Sequence, residues 1–239
     1  MMQRPWHVVP RPLRWMVLLA LLMQMGWRAL QPAPVPRADD LHFPPDVAVL
    51  RLASLGDPVV SAKLLMLWLQ LYDNQPGISI PFRELDYVRV EAWLARILSL
   101  DPRAQYPLLA ASRLYGAVPD PARQRRMLDF VYRSFFEDPG RRWPWLAHGV
   151  IVARHELQDP ALALKYAGAL ADKAQGRADI PAWARQMHIF VLEDMGHLEA
   201  ARILIGGLLE SGRIHDPHER RFWYERLAWL ERQQDKSRE

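Results

Sequence analysis

Helix-opening signals recur along the second half of this 239-residue chain at a nearly constant interval. Asp120-Pro121-Ala122 returns 39 residues later as Asp159-Pro160-Ala161, and the Gly196-His197-Leu198-Glu199 segment places Leu198 38 residues after Pro160. Leu100-Asp101-Pro102 and Glu137-Asp138-Pro139 form a second series, 37 residues apart. A fixed period in the thirties is typical of stacked helical hairpins, because no single hairpin buries its apolar face alone. The spacing therefore predicts an all-α chain of antiparallel hairpins.

Capping residues and helix breakers give the boundaries of the predicted helices. A short helix is predicted over 46–55, and Asp57-Pro58 then opens an apolar helix that runs to the break at 74–77. The last helix opens at Asp216 with Glu219 as the capping-box acid, and its charged surface is typical of a terminal cap. The helices between them are predicted over 81–100, 104–116, 121–136, 143–157, 160–173, 181–195 and 198–210.

The first 36 residues differ in charge from the rest of the chain. They contain four arginines, at positions 4, 11, 14 and 28, and no acidic residue. The remaining Lys and Arg residues equal the 27 Asp and Glu residues in number, so the basic character belongs to the N-terminus alone. This distribution indicates a targeting segment and argues against a nucleic-acid surface.

The apolar run over residues 15–27 is the predicted membrane contact. As a helix it rises only about 20 Å, short of the ~30 Å hydrocarbon core, a length typical of a cleaved signal peptide. No small-residue cleavage site follows, so we favour an uncleaved signal anchor; a cleaved peptide and a surface-lying amphipathic helix are the alternatives. The basic flank predicts a single pass through the inner (cytoplasmic) membrane, with most of the chain in the periplasm of a Gram-negative cell.

The predicted domain organisation follows from these segments. Residues 1–31 form the signal anchor, residues 32–45 a proline-rich linker, and residues 46–239 a helical domain that ends in a capping helix. The chain has no cysteine, which excludes disulfides, thiolate metal sites and a catalytic thiol.

The unit from Trp183 to Glu210 resembles the tetratricopeptide repeat (TPR) family. Gly196, Leu198, Glu199 and Ala201 stand where that family has its interhelix turn and the small residue of its second helix. The resemblance implies a right-handed TPR-like superhelix whose first helices line a concave groove. Three further segments, 54–56, 65–72 and 100–103, are similar to an N-terminally membrane-anchored bacterial group of TPR-like proteins of unassigned activity.

Motifs for catalysis and metal binding are incomplete in this sequence. His155-Glu156 begins like a zinc-protease helix, but Asp159 stands where the second histidine belongs. No serine lies in a Gly-x-Ser-x-Gly elbow, and Gly206-Gly207 falls inside a predicted helix and not in a phosphate-binding turn. We therefore expect no enzymatic activity, no cofactor, no metal, no small-molecule substrate and no nucleic-acid partner.

A protein-binding groove is the main functional hypothesis. Aromatic and charged residues recur on the first helices of two successive hairpins, and buried aromatics and arginine dominate interface energetics. The predicted groove residues are Trp143, Leu146, Val150, Arg154, Trp183, Gln186, Phe190, Glu193 and Asp194. The expected function is a membrane-tethered scaffold or adaptor that binds a protein partner in the cell envelope.

The apolar helix 58–72 supports an alternative function. Leu64, Leu67, Trp68 and Leu71 make it apolar over much of its circumference, with Leu65 and Met66 widening the stripe. Such a helix is also typical of a structural subunit in an obligate inner-membrane complex of transport or secretion type, where it would pack on neighbouring transmembrane subunits.

Overall fold

The chain is mostly α-helical in the computed structural model, which describes residues 10–31, 39–75, 77–212 and 214–236. This confirms the all-α prediction. A two-stranded hairpin, β1 (Asn74–Gln75) with β2 (Ile78–Ser79), joins two of the helices. The helices are α1 (Arg11–Leu30), α2 (Val47–Ala53), α3 (Pro58–Gln70), α4 (Tyr87–Leu100), α5 (Tyr106–Leu109), α6 (Pro121–Phe135), α7 (Pro139–His155), α8 (Pro160–Lys173), α9 (Ala182–Asp194), α10 (Leu198–Glu210) and α11 (Pro217–Lys236).

Aspartate N-caps start most of the helices in the hairpin region. Asp57, Asp120 and Asp159 each accept a hydrogen bond from a backbone N–H in the first turn, and a proline follows each of them. The carboxylate satisfies an otherwise unpaired donor, and proline tolerates the first helical position because its missing N–H has no partner there. The predicted starts of α3, α6 and α8 are therefore confirmed.

Two helix starts differ from the prediction, in both cases because of a further aspartate cap. Asp138 accepts from the N–H of Arg141, so α7 begins at Pro139, before the predicted Trp143. Asp86 accepts from the N–H groups of Val88 and Arg89, so the predicted helix over 81–100 is divided. A 3-10 turn at Phe82–Glu84 precedes α4.

The regular helix predicted over 104–116 is wrong. The structure has the short α5, then a π-helical segment at Ala110–Leu114 and a 3-10 turn at Tyr115–Ala117. The turn brings the backbone close to itself, since a Cβ at Gly116 would lie 2.8 Å from the carbonyl oxygen of Ala111. Only glycine fits this approach without a shift of the backbone.

The N-terminal helix α1 extends beyond the predicted apolar run at both ends. Its 20 residues span about 30 Å. It is long and apolar enough to cross a membrane, and none of its apolar window is buried against the rest of the chain. Arg4 and the other residues before Pro10 lie outside the described residues.

The predicted linker 32–45 is only partly outside the domain. Residues 32–38 are not described, but the Leu41 side chain is buried in the core. The carbonyl oxygen of Leu41 accepts from Arg89 Nη1 at 3.0 Å, and that of His42 accepts from Trp93 Nε1 at 2.7 Å. The packed domain therefore begins near Asp39 and not at Asp46.

Consecutive helices from α6 to α11 pack on one another, and short connections return the chain after each helix. Helix α7 also contacts α9, so the first helices of successive hairpins touch directly. One large core runs from Leu41 to Leu170 and also includes Val191 of α9. A smaller, separate core joins α9, α10 and α11 around Trp223.

Candidate functional site

Four of the predicted groove residues join α7 to α9. The Trp143 and Trp183 rings meet edge to face, with centroids 5.3 Å apart and planes at 74°. At the other end of the same two helices, Arg154 forms an ion pair with Asp194. The two contacts lie eleven residues apart on each helix, which is close to three full turns. They therefore close the two ends of a helix–helix seam.

A second seam joins α9 to the C-terminal helix α11 and covers three more of the predicted residues. Gln186 Nε2 donates to Glu219 Oε1 at 2.7 Å, and Arg226 forms an ion pair with Glu193, whose side chain is only 4% exposed. The hydrogen bond to Glu193 raises the pKa of the Arg226 guanidinium. Between these polar contacts, the Phe190 ring packs against Trp223 at 5.5 Å.

The seams change the interpretation of the predicted groove. Leu146 is completely buried, so its prediction as a partner contact is wrong. Gln186 and Glu193 are covered by α11, and Phe190 is partly buried by it. Trp183 remains 54% exposed and is the predicted residue with the largest free apolar surface.

Six arginines of α6 and α7 form ion pairs with acidic side chains of the same molecule. Arg126 and Arg133 both pair with Glu91, and Arg125 pairs with the cap residue Asp159. The same hydrogen bonds that cap α8, together with Arg125, hold the pKa of Asp159 below its usual range. The remaining members pair as Arg123–Asp120, Arg141–Asp138 and Arg142–Glu137. This surface therefore offers an acidic partner little uncompensated charge.

Two histidines and a tyrosine with shifted pKa values are held partly or fully buried in the domain. Burial lowers the pKa of His148 and of His188, and His188 Nδ1 lies 2.9 Å from the carbonyl oxygen of Arg185. His188 borders a cleft of about 750 Å³ between α8, α9 and α10. Burial raises the pKa of Tyr87 to about 12, and its hydroxyl donates to the carbonyl oxygen of Tyr115. These groups have hydrogen-bond partners inside the fold.

No group of three or more potential metal ligands comes together in the part of the chain that the structure describes. Glu156, which follows His155 in the zinc-protease-like start, accepts a hydrogen bond from Gln124 Nε2. Asp159 caps α8. Both acids therefore have structural partners in the hairpin region.

The largest apolar surface outside α1 lies on α2 and α3. Helix α3 buries only Ala62, Met66 and Leu69 against α4, although most of its other side chains are also apolar. We use the name α2–α3 face for the exposed side chains of Leu52, Leu55, Val59, Val60, Leu64, Leu67, Trp68 and Leu71. Contiguous exposed apolar side chains mark contact sites in soluble domains. The sequence indicated the α3 part but not Leu52 and Leu55.

An apolar cleft of about 580 Å³ continues the α2–α3 face between α3, α4 and α5. Its walls include Met66, Leu67, Ile97 and Leu109. Gln70 and Tyr106 line the cleft and are hydrogen-bonded to each other. No sequence pattern indicated this cleft, because it depends on where the irregular α5 segment lies relative to α3 and α4.

These features define a helical-hairpin protein with an exposed apolar N-terminal helix and a second apolar surface on the first helices of its domain. Comparison with protein families, with curated proteins and with solved structures finds no significant match for this chain.

Proposed function

We propose that this chain is a membrane-tethered scaffold without catalytic activity, which holds a TPR-like array of helical hairpins at the inner membrane. Helix α1 acts as an uncleaved signal anchor, and the hairpins lie on the periplasmic side. They bind a protein partner in a complex of the cell envelope.

The observation that carries this proposal is the pair of exposed apolar surfaces at the N-terminal end of the molecule. Helix α1 has the length and composition of a membrane span, and the α2–α3 face follows it closely in the chain. Leaving two such surfaces exposed to water is unfavourable, because each Å² of exposed apolar area costs roughly 25 cal/mol. Arginines precede the span without any acid, which favours a cytoplasmic N-terminus.

Trp183 is the best-supported contact point for the protein partner. It projects from the seam between α7 and α9, with Trp143 as a rigid support beneath it. Tryptophan contributes a large contact area at low conformational cost, and it is enriched in binding hot spots.

Site-specific crosslinking in native membranes tests the scaffold function. We expect a photo-crosslinking residue in place of Trp183 to yield a discrete product, and the same residue in place of exposed Glu225 on α11 to yield none. In the same cells, we expect external protease to reach the hairpins in intact spheroplasts. Hairpins that resist external protease would reverse the orientation, and equal crosslinking at both positions would remove Trp183 as the contact.

A structural subunit of an obligate inner-membrane complex is the second candidate. The cleft beside Met66 and Ile97 favours it, because a neighbour's transmembrane helix could fill both the cleft and the α2–α3 face. In that case we expect the protein to aggregate when its neighbours are absent.

A further inference from the structure

We propose that the α2–α3 face lies on the lipid bilayer in which α1 is anchored, so that the domain has a fixed orientation on the membrane. This inference rests on the membrane tether of the proposed function and adds a second contact with the same membrane. It concerns a lipid surface and requires no other protein.

The exposed half of α3 is suited to hydrocarbon. At 100° per residue, Val60, Leu64, Leu67 and Leu71 fall within one narrow sector, opposite the side that α3 buries on α4. Lys63 is the one charged residue in α3. Its long side chain lies to one side of that sector and can extend to the headgroups while its methylene groups stay in apolar surroundings.

The elbow between α2 and α3 extends the same surface. The two helix axes differ in direction by 107°, and Leu52 and Leu55 at the bend are 82% and 96% exposed. Asp57 follows the bend, but its carboxylate accepts the N–H of Val60 at 3.0 Å as the N-cap of α3. The bend therefore exposes two leucines, and the Asp57 carboxylate beside them is hydrogen-bonded to the backbone of α3.

The tether joins the domain beside this face. The carbonyl oxygen of Asp39 accepts from the Tyr72 hydroxyl at 2.6 Å and from Gln75 Nε2 at 3.1 Å. A third hydrogen bond, from the Asp39 N–H to Gln75 Oε1, measures 2.8 Å. Asp39 is thus fixed at the C-terminal end of α3, next to exposed Leu71.

The length of the tether limits how far the face can move from the membrane. Helix α1 ends at Leu30, and the eight chain steps from Gln31 to Asp39 span at most about 28 Å. The point of attachment adjoins the Leu71 end of the α2–α3 face, so this end stays within that reach of the bilayer surface.

The aromatic border of the face fits an interfacial position. Trp68 is partly exposed, and its ring packs on Trp93 with centroids 4.8 Å apart and on Tyr72 at 5.4 Å. Trp and Tyr are enriched where membrane proteins pass from hydrocarbon to headgroups. A transmembrane neighbour would suit the same apolar chemistry, but the tether provides the bilayer without any second component.

The absence of cysteine allows a direct test with single fluorescent labels on the full chain. Leu64→Cys and Leu71→Cys place an environment-sensitive dye on the α2–α3 face, Leu21→Cys places it in α1, and Glu225→Cys places it on exposed α11. The protein is reconstituted into vesicles of phosphatidylcholine and phosphatidylglycerol, with and without a quencher attached to the acyl chains.

We expect the acyl-chain quencher to remove most of the emission at positions 21, 64 and 71 and little at position 225. Adding Val60→Gln and Leu67→Gln should restore the emission at position 71 while the helix content stays unchanged, because both replaced side chains are exposed.

The other outcomes separate the two proposals. Quenching at 21 without quenching at 64 and 71 overturns the bilayer contact and leaves the tether intact. If positions 64 and 71 become shielded only in native membranes, a neighbouring subunit covers the face, which also overturns it. A lack of quenching at 21 contradicts the tether and, with it, the inference.

Discussion

Arg142 is a charged residue in the interior of the domain, and its side chain is only 2% exposed. Its Nη1 donates to the carbonyl oxygen of Ser134 at 2.6 Å and to Glu137, and its Nη2 donates to the carbonyl oxygen of Pro102 at 3.0 Å. The guanidinium therefore joins the end of α6 to the connection after α4. The planar guanidinium directs donors from two separate nitrogens at the two carbonyl groups, whereas an ammonium group has all its donors on one nitrogen.

We expect Arg142→Ala to lower the free energy of unfolding by about 3 kcal/mol, since two carbonyl groups lose charged donors. Arg142→Lys should recover only part of this loss. The exposed neighbour Arg141 is the matched control, and Arg141→Ala should cost at most about 1 kcal/mol. Denaturant unfolding of the full chain in detergent measures all three variants. Equal losses for Arg141→Ala and Arg142→Ala would show that Arg142 does not link the two segments.

The partly buried His188 makes stability depend on pH. Burial lowers the pKa of His188 below its usual 6.5, against the smaller opposite effects of the Arg185 carbonyl and Asp172. Below pH 6.5 the unfolded chain therefore binds a proton that the folded chain does not, and stability falls as the pH falls. We expect His188→Gln to reduce this slope between pH 6.5 and the lower folded pKa, as measured by unfolding across pH. Above about pH 7.5 both states are neutral, and the slope should not change; an unaltered slope below pH 6.5 would contradict the assignment.

Helix boundaries divide into those that local chemistry determines and those that tertiary contacts determine. Asp57-Pro58, Asp120-Pro121 and Asp159-Pro160 predicted their helix starts because a cap acts within one turn of the chain. The π-helical segment before Gly116 has no such local signal. Its backbone follows from packing against α6 and α7, which a periodicity argument does not include.

The groove hypothesis depended on the direction in which each side chain projects from its helix. The pattern placed Trp143, Trp183 and Arg154 on one side of their helices, and in the structure these residues contact one another or Asp194 between α7 and α9. One residue corresponds to a 100° turn, however, so the sequence could not separate a concave surface from a seam. The covering of Glu193 depended on the position of α11, which the sequence also left open.

Gly116 provides a test of the irregular segment. We expect Gly116→Ala to destabilise the fold by roughly 1–3 kcal/mol, because the new methyl group meets the Ala111 carbonyl oxygen. Gly207 in α10 is the matched control, since nothing lies within 4 Å of a Cβ at that position. Gly207→Ala should stabilise its helix by about 0.5–1 kcal/mol. Thermal unfolding of both variants measures the difference, and the same sign for both would contradict the close approach.

The two main cores differ in size and share α9. The larger core runs through α3 to α8 and includes Val191 of α9, whereas the smaller one joins α9, α10 and α11 around Trp223. Trp223 is almost completely buried at the centre of the smaller core, and its Nε1 has no hydrogen-bond partner there. Neighbouring hairpins contact chiefly the next hairpin along the chain, so the C-terminal part can open without unfolding the rest.

We therefore expect Trp223→Ala to act locally. Removing the ring leaves a cavity that costs about 3–5 kcal/mol, which approaches the whole stability of a small helical unit. Amide hydrogen exchange should become faster throughout α9, α10 and α11 and stay unchanged in α4 and α6. Trp223→Phe keeps most of the packing and removes the unpaired N–H, so it should cost much less than Trp223→Ala. Tyr224 is exposed, and Tyr224→Ala should leave exchange unaltered. Uniformly faster exchange in α4 and α11 of Trp223→Ala would mean that both cores unfold as one unit, and the hairpins would then lack the independence of a repeat array.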